Sequence, residues 1–191
     1  MSCFCPEIWP EDPTPKIQKD CKECGLYDQG SRMIWGEGTP RAPIMIVLDN
    51  PGARENREGS PFVCGTRQTL QKAVFETGLK KEQIYVTYIL KRKPIRAYEK
   101  DRTRAICMRH LENQLEVQKP SLILCLGNVA VQSFFRNQEL DVKGLRGSWY
   151  EVGGYQTTVA YHPLAVRRRP NLYPLFLEDM QFVASELEAK M

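Results

Sequence analysis

Three short apolar runs constrain this chain more than anything else in it: Ile44-Met45-Ile46-Val47-Leu48, Ile84 to Leu90, and Leu122 to Leu126. Each is bounded by chain-breaking residues and lacks polar alternation, the pattern of a strand buried on both faces. Between them, Gln68 to Thr77, Arg102 to Lys119 and Val129 to Phe135 space their apolar residues as helices do, with Gly78 and Pro120 as stop signals. Trp149 to Val152 and Thr157 to Ala160, joined by Gly153-Gly154, read as a strand hairpin, and Tyr173 to Lys190 as a closing amphipathic helix. This alternation predicts an α/β fold: a single-domain, three-layer sandwich with a mostly parallel central sheet and helices on both faces. Residues 1–30, rich in Pro and Cys and without a period, are expected to form a lead-in stapled to the core by a metal, with residues 31–191 as the domain proper. Ligands of such a sheet bind at the carboxyl ends of its strands, where Asp49-Asn50-Pro51-Gly52, Lys91 to Pro94, Gly127-Asn128 and His162-Pro163 are expected to gather.

At 191 residues the chain fits one domain. No apolar run approaches the eighteen or so residues of a membrane span, and no charged-then-apolar leader opens it, so a cytoplasmic location is expected. The net charge of +4 is unevenly placed. Between Lys91 and His110, eight basic residues face only Glu99 and Asp101, and Arg167, Arg168 and Arg169 form a second basic run, so the remainder is net negative. Such concentration points to a polyanion such as nucleic acid. The seven cysteines cannot all pair within the chain. Cys21 and Cys24 form a Cys-x-x-Cys, Cys3 and Cys5 lie upstream, and Cys107 stands in the basic stretch. Clusters of this kind are more often metal or redox sites than disulfides, and the Pro-rich flank from Pro10 to Pro15 does not offer the strand–helix setting of a thioredoxin-like pair.

Several motifs follow one another in a telling order: Cys-x-x-Cys, Gly36-Glu37-Gly38, Asp49-Asn50-Pro51-Gly52, Gly59-Ser60-Pro61-Phe62-Val63, Leu126-Gly127, Arg146-Gly147-Ser148-Trp149 and His162-Pro163. Together they resemble the uracil-DNA glycosylase superfamily, and most closely its family 4, the iron–sulfur enzymes. The resemblance implies a monofunctional DNA glycosylase of base excision repair, acting on DNA as a monomer, with water as the nucleophile. Cleaving a base from deoxyribose needs a held water, a stabiliser for the charge gathering on the leaving base and a pocket for a flipped nucleotide. Asp49 or Asn50, on a loop made rigid by Pro51 and Gly52, would position the water, with Glu55 assisting. Family 4 carries Glu where Asp49 stands, and Asn50-Pro51-Gly52 resembles the loop of the mismatch-specific branch. Phe62 would stack on the base, Pro51 and Gly52 would line its pocket, and His162 would donate to the base oxygen. Lys91, Arg92, Lys93, Asn128, Arg167, Arg168 and Arg169 would meet the DNA backbone.

Two positions depart from the family. Tyr88 stands where family 4 has an Asn that reads the uracil edge, and a phenol cannot copy an amide's paired donor and acceptor. Arg92 stands at the third cysteine of the family's cluster. The implied structural 4Fe-4S cluster therefore has Cys21, Cys24 and Cys107, with Cys5 (or Cys3) expected as fourth ligand; zinc or no metal are the alternatives. A catalytically weak or inactive nucleic-acid binder on the same fold is the competing function, carried by Tyr88.

Overall fold

The apolar runs form the centre of a single sheet. In the computed structural model, which describes residues 3–52 and 63–191, seven strands are present: β1 (Glu11–Asp12), β2 (Gly36–Gly38), β3 (Ile44–Leu48), β4 (Ile84–Tyr88), β5 (Leu122–Leu126), β6 (Tyr150–Val152) and β7 (Tyr155–Ala160). Their order is β1-β2-β4-β3-β5-β7-β6. The four central strands β4, β3, β5 and β7 are parallel, and the outer pairs are antiparallel. The helices are α1 (Gly65–Glu76), α2 (Lys100–Gln118), α3 (Asn128–Phe134), α4 (Val142–Leu145), α5 (Pro163–Arg168) and α6 (Tyr173–Lys190). The expected α/β sandwich with a mostly parallel sheet is what the chain forms.

Successive strand residues point to opposite faces, which explains why the runs are apolar throughout. Ile44, Ile46 and Leu48 pack with Leu70 and Val74 of α1 and Phe176, Met180 and Val183 of α6. Met45 and Val47 pack on the other side with Met108 and Leu111 of α2 and Val131 and Phe134 of α3. Each fully buried side chain of this size contributes about 1.5–3 kcal/mol, so a polar residue at any of these positions would be costly. β4 ends two residues before the apolar run does. Ile89 and Leu90 leave the strand and donate their N–H groups to the carbonyls of Leu48 and Asp49, both at 2.9 Å, which ties the end of β4 to the loop after β3.

Part of the lead-in is built into the sheet. β1 pairs with β2, and Trp9 is buried in the core beneath α1. Gly36 has a steric reason: a Cβ there would collide with the Tyr85 hydroxyl, which donates to Asp12 of β1 at 2.6 Å. The chain leaves β3 for α1 on one face and β5 for α3 on the other, so the loops after β3 and β5 diverge and leave a crevice. Among the described residues no helix is long and apolar enough to cross a membrane.

Candidate active site

The crevice is closed by three strand ends. After β3, Asp49 accepts a hydrogen bond from the Asn50 backbone N–H at 2.8 Å, and the Asn50 side-chain amide donates to the Pro51 carbonyl at 2.8 Å. One N–H of the amide is thereby turned back into the loop, while Asp49 lines the cavity. After β7, His162 caps α5, whose first residue is Pro163. The Leu164 N–H donates to His162 Nδ1 at 3.0 Å, which requires a lone pair on that nitrogen. The neutral ring therefore carries its proton on Nε2 and donates it to Asp49 Oδ1 at 3.1 Å. After β5, the Gly127 N–H donates to the Ala160 carbonyl at 2.9 Å, locking the ends of β5 and β7 together. Gly127 has φ 89°, and a Cβ there would sit 2.9 Å from that of His162; glycine lets the imidazole come this close.

These ends enclose a cavity of about 450 Å³ whose lining includes Asp49, Gly127, Asn128, Tyr161, His162 and Arg168. Burial pushes the Asp49 carboxyl up. The hydrogen bond from His162, the electrostatic attraction of its N–H and the Asn50 N–H together outweigh that effect and hold the group below the usual carboxylate value. The site thus pairs an anion with a fixed neutral donor, at the position where a doubly wound sheet binds its ligand.

The other residues expected at the site fall into separate places. Arg168 and Arg169 are exposed at the cavity, and Arg167 lies across Gly65 at the start of α1, where any Cβ would collide with its guanidinium. Asn128 accepts from the Val142 N–H at 2.9 Å, so its side chain fixes α4 against the cavity wall. Lys93 is half-buried. Glu55 and Phe62 lie outside the described residues. Lys91 and Arg92 require correction, since neither is a surface cation. Lys91 is 0% exposed, and its Nζ donates to Thr87 Oγ1 at 2.6 Å, the Tyr88 carbonyl at 2.6 Å and Gln114 Oε1 at 2.5 Å. It continues the apolar run after β4 and goes where that run goes; burial lowers its pKa to about 7. Arg92 is 6% exposed and donates inward to the carbonyls of Ser31 and Lys19.

Tyr88 is 1% exposed at the end of β4, beside Leu48 in the register. Its hydroxyl accepts from Arg67, which also pairs with Glu37 of β2. Arg67 was not foreseen, although it falls on the buried stripe of α1 with Leu70, Gln71 and Val74 and so was a cation at a core position. Tyr161, also unforeseen, lines the cavity beside His162.

The cysteines do not assemble into a four-ligand set. Cys24 and Cys107 meet and pack with Leu26 and Leu90. A hydrogen bond from Cys107 is the main influence lowering Cys24 to about 6, and the same bond, with burial, pushes Cys107 up. Cys21 lines a separate cleft with Ile106, Arg109 and His110 of α2. Cys5 is on the wrong side of the sheet: its neighbours Phe4 and Glu7 pack on Phe75 and Gln71 of α1, whereas Cys107 lies on α2. Cys3, one residue from Phe4, is exposed there as well. Among the described residues no three His, Cys, Asp or Glu side chains converge as metal ligands. The residues present do not fit a four-thiolate cluster.

Sequence comparison agrees with the topology. The model of the "Uracil DNA glycosylase superfamily" matches residues 35–184, which include every strand end that bounds the cavity, and the chain belongs to that superfamily. Within it, the chain is similar to the protein named Type-4 uracil-DNA glycosylase in several thermophiles. It is 32% identical over 171 residues to that of Archaeoglobus fulgidus, covering 84% of this chain and 85% of the relative. It is 31% identical over 183 residues to that of Sulfurisphaera tokodaii, covering 89% and 83%.

Proposed function

We propose that this protein is a monofunctional DNA glycosylase that removes uracil or a related deaminated base from DNA, the activity that the names of its relatives carry. The observation that supports this most directly is the 3.1 Å hydrogen bond between His162 Nε2 and Asp49 in the crevice between β3 and β5. A flipped nucleotide entering the cavity places its base carbonyl near that Nε2–H. The donor transfers from carboxylate to base, and the freed Asp49 oxygen accepts a hydrogen bond from a water beneath the sugar. The bond from C1′ to the base nitrogen breaks with its electron pair leaving on the base. The carboxylate stabilises the oxocarbenium-like sugar, the water oxygen adds to C1′, and its proton passes to Asp49 and then to solvent or to the departing base. Of the two loop candidates, Asp49 carries this role, because it lines the cavity and is the one paired with His162. Arg168 and Arg169, at the cavity edge, hold phosphates of the substrate strand. We take the protein to act on DNA as a monomer, and none of these steps calls for a cofactor.

The test is incubation with end-labelled oligonucleotides carrying uracil, hypoxanthine, xanthine or a mismatched thymine, followed by alkali to cut at abasic sites. Cleavage of one lesion that is abolished by Asp49→Ala and by His162→Ala is the expected result. Binding without cleavage of any lesion would overturn it and favour the reading that Tyr88, held by Arg67 in the base-reading position, has left a binder on a glycosylase fold.

A further inference from the structure

We propose that this chain binds no iron–sulfur cluster, and that the Arg92 guanidinium instead ties the lead-in to the end of β4. Arg92 stands at the cysteine position expected to supply the cluster's third ligand, and a guanidinium has five N–H donors, no lone pair and a permanent charge, so it cannot ligate iron or zinc. It is built in rather than left over. The backbone of Arg92 bridges to Met33, and the Lys91 carbonyl accepts from the Ile34 N–H at 2.7 Å. From that anchored position the side chain donates to the carbonyls of Ser31 and of Lys19, the latter at 2.8 Å, and its carbon lies 4.9 Å from the centre of the Tyr27 ring. Its three partners lie on both sides of Cys21 and Cys24 in the chain. One planar cation therefore gathers residues 19, 27 and 31, the segment that a cluster held by that cysteine pair would gather.

The thiols have taken on other surroundings. Cys107 and Cys24 sit with Leu26 and Leu90 as small side chains of a satellite core, and Cys21 faces the outer cleft against α2. Among the described residues Cys24 and Cys107 do not converge with any third ligand, and Arg92 fills the position from which the missing one would come.

Metal content and melting decide the matter. Protein purified anaerobically should contain substoichiometric iron, acid-labile sulfide and zinc, and should remain colourless after anaerobic incubation with ferrous iron and sulfide. Cys21→Ser should melt where the unaltered protein does. Arg92→Ala should melt lower by about 5 °C or more, and Arg92→Lys, which keeps the charge but not the fork, should also fall, giving a second measurement if the alanine variant is insoluble. Arg92→Cys, which restores a thiol at the vacated ligand position, should take up iron and sulfide under the same incubation. Stoichiometric iron or zinc in the unaltered protein, a large drop in melting for Cys21→Ser, or unchanged melting for Arg92→Lys would each overturn the proposal. None of these readouts involves base cleavage, so their outcome is separate from that of the lesion assay.

Discussion

At the scale of single residues, the site turns on the division of labour within His162. One ring nitrogen completes the first turn of α5 and the other faces Asp49, so capping the helix leaves the ring available to the cavity. The cap sets the tautomer, and the tautomer makes Nε2 a donor. Asp49→Asn removes the anion but keeps the shape. It should lower kcat by about a hundredfold or more, the scale of general base catalysis, while near-ultraviolet circular dichroism at neutral pH stays close to that of the unaltered protein and melting there falls modestly. The same change should alter the acid limb of stability. Asp49 is held below its unfolded value, so it contributes stability that is complete above the unfolded pKa of about 3.9 and is lost as pH falls through the folded one. Denaturant titrations should show a shallower loss below about pH 4 in Asp49→Asn, and identical acid limbs would show that the carboxyl gains nothing from His162.

At the scale of elements, α4 and α6 are clasped by Arg146, whose Nε donates to Asp179 at 3.0 Å and whose other nitrogen donates to the Leu175 carbonyl at 3.0 Å and to Glu178 at 3.2 Å. Asp179 is buried, so removing its partner strands a charge. Arg146→Met should cost about 3–5 kcal/mol in denaturant unfolding, and adding Asp179→Asn to it should recover part of that loss; full additivity of the two changes would disprove the coupling. α5 carries the arginines beside the cavity. Replacing Arg168 and Arg169 with Ala should reduce the slope of log binding against log salt by about 0.7–0.9 per lost phosphate contact, whereas an unchanged slope would remove α5 from the DNA interface.

Legibility in the sequence varied at this same scale. The strands β3, β4 and β5 could be read because burial on both faces leaves a short apolar run, too short for a helix and bounded by breakers, and α6 because its period runs undisturbed from Tyr173 to Lys190. β1 and β2 are too short to show a period, and Gly36-Glu37-Gly38 reads as a turn until Tyr85 is known to press on Gly36. α5 was hidden by its arginines, although Pro at its first position after a capping residue was an available signal. Asp49, His162 and Gly127 were foreseen as neighbours because all three follow strands of one parallel sheet. The inward turn of Lys91 and Arg92 was not, because a cation after a strand reads as surface unless the acceptors that receive it are known.

At the scale of the whole molecule, the parallel strands do the positioning and the antiparallel ones close the sheet. The strands that carry the site are all internal, so the geometry between Asp49 and His162 is set by the stacking of β3, β5 and β7 and not by loops alone. The lead-in, for its part, reaches the core through β1, Trp9 and the Arg92 contacts. The sheet's two borders have a further consequence. One is a two-residue strand made of Glu11 and Asp12, the other a three-residue strand with Glu151 at its centre. Neither offers a second molecule a long, flat row of free backbone groups; Glu151 is exposed at one, and at the other Glu11 is paired with Arg32 at 2.7 Å. Short borders that carry charged side chains discourage edge-to-edge aggregation, so a protein that acts on DNA can be concentrated along it without its sheets joining one another.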